Sequence, residues 1–287
     1  ANLEVGVSSF TSPGSFPDPL CQSATPNNSL TQPSDPAVDA QGNLWVADPL
    51  SGRVLRFPKP LATAVPADLA LGNSIDNMLR DCNGVDNDLY NPPRGHPAPI
   101  PPSATATSLC YPAAVAFDSN GDLWVADRGN NRVLEYMPPF YSGMPASLEL
   151  GYPQSPGMNS PFTGTFFQGD RCAAVSAVGL CSPTALAFDS SGNLWVADEN
   201  DHRVLEFSPP FSSGMAAALV LGQQDFTQAA AGTPAANTVG TPDAVSFDTR
   251  GDLFVSDGQD NRILIYAQPF SNGMNAIVVG MAHRGRL

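Results

Sequence analysis

The stretch "GDLWVADRGNNRVLEY", Gly121–Tyr136, decides how this 287-residue chain is read. An apolar run, Leu123–Ala126, is followed by the polar turn Asp127–Asn131 and a second run, Val133–Tyr136. Two short runs joined by an Asn/Gly-rich turn are the pattern of an antiparallel hairpin. Upstream, Ala113–Phe117 alternates apolar residues and the turn Asp118–Gly121 folds it back, so the hairpin grows into a meander. After the break Pro138–Met144 comes a fourth short run, Ala146–Gly151.

The unit recurs. "NLWVAD" ends at Asp48, "DLWVAD" at Asp127, "NLWVAD" at Asp198 and "DLFVSD" at Asp257, spaced by 79, 71 and 59 residues. Counterparts of the fourth run lie at 67–72, 217–222 and 276–280. The modules therefore span 31–72, 110–151, 181–222 and 240–280, and long loops fill 7–30, 73–109, 152–180 and 223–239. A four-stranded sheet cannot bury both of its faces alone, so such units must pack on one another. The predicted fold is all-β, one β-propeller domain over 1–287 built of four-stranded antiparallel blades.

The motif P-x-x-V-A-x-D-x-x-G-x-L-x-V-A-D-x-x-N-x-R-V lies well on Pro112–Val133 and Pro183–Val204. Pro242–Ile263 fits with Ser256 in place of Ala, and Pro33–Val54 fits more loosely. In these residues the chain resembles the NHL-repeat family, and its proline-rich loops are similar to those of secreted bacterial members. The resemblance implies a propeller that commonly has six blades, whereas four modules are recognisable here. The loops at 73–109 and 152–180 show no alternation that would hide another blade. Ala1–Gly6, "ANLEVG", matches the fourth runs yet has no module before it. That surplus strand reads as the end of further blades upstream, as a strand added to a neighbouring molecule's sheet edge, or as a redundant edge strand.

Composition narrows the partners. The formal charge is −14 and Lys59 is the only lysine, a surface that repels phosphate backbones and speaks against nucleic acid. No apolar stretch approaches the length of a membrane span. Scarce lysine, abundant Pro, Ser and Thr, and cysteines in loops point to an oxidising setting, extracellular or at a cell surface. Cys110 and Cys181 occupy one repeat position, and each has another cysteine in its own loop, Cys82 and Cys172. Pairing within loops would close Cys82–Cys110 and Cys172–Cys181 and leave Cys21 odd, although sequence does not settle connectivity. Asn27 opens the sequon "NNS", and "PIPPSATATS" suits O-glycans, so attached glycans are expected modifications.

Candidate chemistry is sparse. The pairs Asp48/Arg53, Asp127/Arg132, Asp198/Arg203 and Asp257/Arg262 recur in every module and read as hairpin-pinning ion pairs. An active site would break that symmetry, because one substrate needs one constellation. The turns "DAQGN", "DSNGD", "DSSGN" and "DTRGD" resemble fragments of a calcium loop, yet lack its ligand series and distal Glu. "DCNGVDND" is the better Ca²⁺ candidate, with Asp81, Asn83, Asp86 and Asp88 as oxygen ligands. No GxSxG occurs, and His96, His202 and His283 share no local motif with a nucleophile. No catalytic or cofactor-binding residue is assigned. The expected function is a non-enzymatic exported scaffold that mediates protein contacts or self-assembly, with strand addition through residues 1–6. Two alternatives stand beside it: a metal-dependent propeller lyase or lactonase, and a propeller that binds a glycan or small ligand.

Overall fold

A computed structural model describes residues 30, 32–62, 65–73, 81–82, 85–86, 104–151, 172 and 174–281. Ala1–Gly6, Cys21, Asn27, Asn83, Asp88, His96 and His283 lie outside the described residues.

Four antiparallel sheets, each of four strands in sequence order, are arranged as the blades of a propeller. The first comprises β1 (Ser34–Val38), β2 (Leu44–Asp48), β3 (Arg53–Phe57) and β4 (Leu69–Gly72). After a short hairpin, β5 (Asp81–Cys82) and β6 (Val85–Asp86), the second holds β7 (Pro112–Phe117), β8 (Leu123–Asp127), β9 (Arg132–Tyr136) and β10 (Leu148–Leu150). The third holds β11 (Pro183–Phe188), β12 (Leu194–Asp198), β13 (Arg203–Phe207) and β14 (Leu219–Leu221). The fourth holds β15 (Pro242–Phe247), β16 (Leu253–Asp257), β17 (Arg262–Tyr266) and β18 (Ile277–Met281). The hairpin β5–β6 sits in a loop where the sequence shows no alternation; two-residue strands are too short to leave a periodic signal.

Both turns of each blade follow from sequence. Asp118 Oδ1 accepts the amides of Asn120 and Asp122, each at 2.9 Å, and Asp39, Asp189 and Asp248 repeat the arrangement. An aspartate that satisfies the turn's own amides replaces the ladder bonds lost where the chain reverses. The "LG" that closes the fourth run of the first three blades has a packing reason. Gly151 has φ +93°, and a Cβ there would come within 2.5 Å of Leu180 on the following blade's entry segment.

The core lies between blades. One apolar cluster joins Trp45 and Leu71 of the first blade to Leu123 and Leu134 of the second. The next joins Trp124 and Val133 to Leu194 and Phe207, and a third joins Trp195 and Val204 to Leu253 and Tyr266. Each tryptophan meets two phenylalanines of the following blade edge-on: Trp124 lies 5.9 Å from Phe188 and 4.7 Å from Phe211. Such T-shaped contacts favour ring edge over ring face. Among the described residues no apolar cluster bridges the fourth blade and the first; blade one buries Val46, Leu55 and Phe57 against its own Leu30, Leu61 and Val65.

Candidate functional site

The recurrent acid–base pairs are buried. Arg132 Nε donates to Asp127 Oδ2 at 2.8 Å, and the equivalent bonds are 3.1 Å at Arg53–Asp48 and 2.8 Å at both Arg203–Asp198 and Arg262–Asp257. Their remaining atoms reach the loop that leads into each blade. Asp127 Oδ1 accepts the Cys110 amide at 2.6 Å, while Arg132 Nη2 donates to the carbonyls of Thr105 and Ser108, both at 2.9 Å. Arg203 binds the Gly179 carbonyl and Arg262 the Thr238 carbonyl in the same manner. The pairs Asp127/Arg132, Asp198/Arg203 and Asp257/Arg262 thus tie their hairpins to entry-loop backbone through charge-assisted hydrogen bonds.

The entry loops carry the cysteines. Cys172 and Cys181 form a disulfide with Cα atoms 5.1 Å apart, within the usual range. Cys110 is also disulfide-bonded. Asp81 and Asp86, two of the acids in the loop that reads as a Ca²⁺ candidate, are backbone partners across hairpin β5–β6. Arg250, an exposed residue of the turn "DTRGD", pairs with Asp248 at 2.9 Å and Asp252 at 3.1 Å. His202 Nδ1 bonds the Gly240 carbonyl at the entry to the fourth blade.

A central cavity of about 660 Å³ lies among the inner strands β1, β7, β11 and β15. Its wall breaks the four-fold pattern: Ser34, Ala113, Thr184 and Asp243 stand at one repeat position. Ser34 Oγ and Thr184 Oγ1 donate to the carbonyls of Ala113 and Pro242 on the following blades, both at 2.8 Å. Arg128 at the rim is paired with Glu199 of the next blade, Nη2 to Oε2 at 2.6 Å. Burial raises the carboxyl pKa of Asp35; it also raises that of Asp243, helped by Glu199 and Asp257 and opposed by Arg128. Among the described residues, no three His, Cys, Asp or Glu side chains converge in this cavity.

One buried acid was not singled out from sequence. Glu149 on β10 is 1% exposed; Arg132 Nη1 reaches its Oε1 at 3.2 Å, and among the described residues its Oε2 has no partner. Burial pushes its pKa up to about 7 against an ordinary 4.5, despite Arg132. The signal was available, since Ala70 and Val220 stand at the equivalent position. The folded state holds this proton between pH 4.5 and about 7 while the unfolded chain has lost it. Stability from this group is therefore present below pH 4.5 and lost as pH rises through about 7. The shift corresponds to about 3 kcal/mol. Glu149→Gln is expected to stabilise the chain by up to that amount at pH 8 and by little at pH 4, read from urea unfolding at both values.

The family model for the NHL repeat matches residues 109–136 and 180–207. No curated protein matches the sequence. Among solved structures, the chain is similar to virginiamycin B lyase from Staphylococcus aureus, at 11% identity and TM-score 0.46, covering 88% of this chain and 57% of that one. A streptogramin B lyase gives 12% and 0.47, over 90% of this chain and 58% of that one. A protein of unknown function from Bacteroides caccae gives 9% and 0.47, over 87% and 69%. The chain thus spans less than three fifths of the length of the two lyases. No helix among the described residues is long and apolar enough to cross a membrane.

Proposed function

Because the chain is a propeller built of NHL repeats, we propose that it is a non-enzymatic, exported scaffold that acts through protein contacts and self-assembly. A second copy supplies Ala1–Gly6 to the open side of the fourth blade. The observation that carries this reading is the contrast between that side and its equivalents. On the second blade Ala114, Trp124, Ala126 and Val133 are 0% exposed beneath the third. On the fourth, Ala244 is exposed, Phe254 and Ser256 are half-buried, Ile263 is 39% exposed and Ile277 62%. Burial along β17 accordingly alternates, where β9 is buried throughout.

The outer strands tell the same story. In the first three blades a loop of the following blade covers the fourth strand: Gly143, Gly214 and Gly273 donate to the carbonyls of Ala70, Glu149 and Val220 at 2.9–3.1 Å. Ser142 and Ser213 hydroxyls accept the amides of Ala70 and Glu149 at 3.1 and 3.2 Å. Among the described residues no such loop covers β18, and blade one, with Val38 and Leu61 where later blades have paired phenylalanines, does not provide one. An apolar face beside an open strand edge suits an added strand. "ANLEVG" has the pattern of the fourth strands themselves, as at 67–72, 146–151 and 217–222.

Ile263→Asp combined with Ile277→Asp tests this. A charge on each exposed position leaves the buried side of the blade untouched and is expected to dissolve assemblies into single chains while the circular dichroism stays unchanged. Assemblies of undiminished size would overturn the reading. The asymmetric wall of the central cavity favours one second reading, a small polar ligand held by Asp35, Asp243 and Arg128. Equilibrium dialysis against a panel of sugars, with Asp243→Ala as comparison, addresses it.

A further inference from the structure

We propose that Asp118, Asp122 and Glu135 of the second blade form a binding site for a hydrated Ca²⁺ ion. One carboxylate oxygen of each lies within 4.8 Å of the others, a spread compatible with oxygens ligating one ion from opposite sides at 2.3–2.6 Å. Asp118 and Asp122 come from the turn between β7 and β8. The register of the ladder places Glu135 directly opposite Trp124, just beyond that turn.

Comparison with the other blades isolates this one. In the first and third, the last turn position is Asn43 or Asn193, and its Nδ2 donates to the Asp39 or Asp189 carboxylate at 2.8 Å. In the fourth the residue is Asp252, but Arg250 neutralises it together with Asp248. The second blade has Asp122 at that place, its Asp118 receives a longer bond of 3.5 Å from Asn120 Nδ2, and Glu135 adds a third carboxylate.

Trp124 gives the independent indication. In blades one and three the indole N–H donates to the turn aspartate, Trp45 to Asp39 at 3.0 Å and Trp195 to Asp189 at 3.1 Å. Trp124 occupies the same register, is 0% exposed, and among the described residues its Nε1 has no acceptor. By that equivalence the indole N–H faces the turn that carries Asp118, and a buried donor left unsatisfied there is a costly arrangement. A water in the ion's coordination shell supplies the missing acceptor while the ion cancels the repulsion. Ca²⁺ fits better than Mg²⁺, because irregular oxygen sets with several carboxylates suit its flexible geometry.

The test compares wild type with Asp122→Asn, a residue that two sister blades already use at this place. In CaCl₂ at about a hundred times the dissociation constant, wild-type Tm is expected to rise by about 5 °C. Asp122→Asn is expected to show at least a tenfold weaker response and a higher Tm in chelator. Glu135→Gln should weaken the response too, and Asp252→Asn should leave it intact. Tb³⁺ luminescence excited through indole should fall in Asp122→Asn. Equal Ca²⁺ shifts in wild type and Asp122→Asn, or none in either, would overturn the proposal.

Discussion

Arg132→Met is expected to destabilise the protein by about 3–5 kcal/mol, the cost of breaking a buried pair from one side. Arg132 is fully buried and serves four acceptors at once: Asp127, Glu149, and the carbonyls of Thr105 and Ser108. The methionine replaces the stem and none of the donors. It strands the Asp127 carboxylate, which keeps only the amide of Cys110 and the Asn130 side chain at 2.7 Å. Combining the change with Asp127→Asn should recover part of the loss, because neutralising the stranded acid removes the dearest term. Denaturant unfolding of both single variants and the double one reads this directly. Full loss of stability confined to Arg132→Met, with no recovery in the double variant, would mean that the backbone contacts dominate over the ion pair.

Trp195→Ala is expected to be nearly as severe, at about 3–5 kcal/mol for a large buried aromatic. Trp195 is 0% exposed and fills the seam between the third and fourth blades, 5.7 Å from Phe247 and 4.8 Å from Phe270. Its removal opens a cavity that the surrounding strands cannot collapse into, since their hydrogen bonds fix their spacing. The same substitution at the equivalent position of the last blade, Phe254→Ala, is expected to cost less than about 2 kcal/mol in single chains. Phe254 is half-buried and has no aromatic clamp among the described residues. Thermal unfolding of the two variants therefore measures how different the last seam is from the internal ones. Equal losses would contradict the account of an open fourth blade.

These contrasts also show what the sequence reveals. Period-two runs and Asp/Gly turns suffice for blades and their order, because each blade repeats one solution to the same backbone problem. Trp45, Trp124 and Trp195 recur at one strand position for the same reason, and each packs a seam between blades. What escapes that reading is whatever departs from the repeat by a single residue. Asp122 for Asn, and Glu149 for Ala or Val, look like ordinary variation in a string of letters. Their consequences come from burial and from neighbours on other strands: Glu135 across the ladder and Arg132 beneath. The central cavity is equally silent in sequence, since its wall combines residues from all four inner strands. The entry-loop carbonyls that receive Arg132, Arg203 and Arg262 lie 24 residues upstream, too far for any local pattern.

The central claim is that the open side of the fourth blade is covered by residues 1–6 of a second copy of the chain. The direct measurement is the native mass in solution, for the chain as it stands and for one lacking residues 1–6. The account predicts multimers or filaments for the first and single chains of 30.0 kDa for the second once allowance is made for the deletion. A strict monomer for the intact chain, or assemblies that persist without residues 1–6, would contradict it.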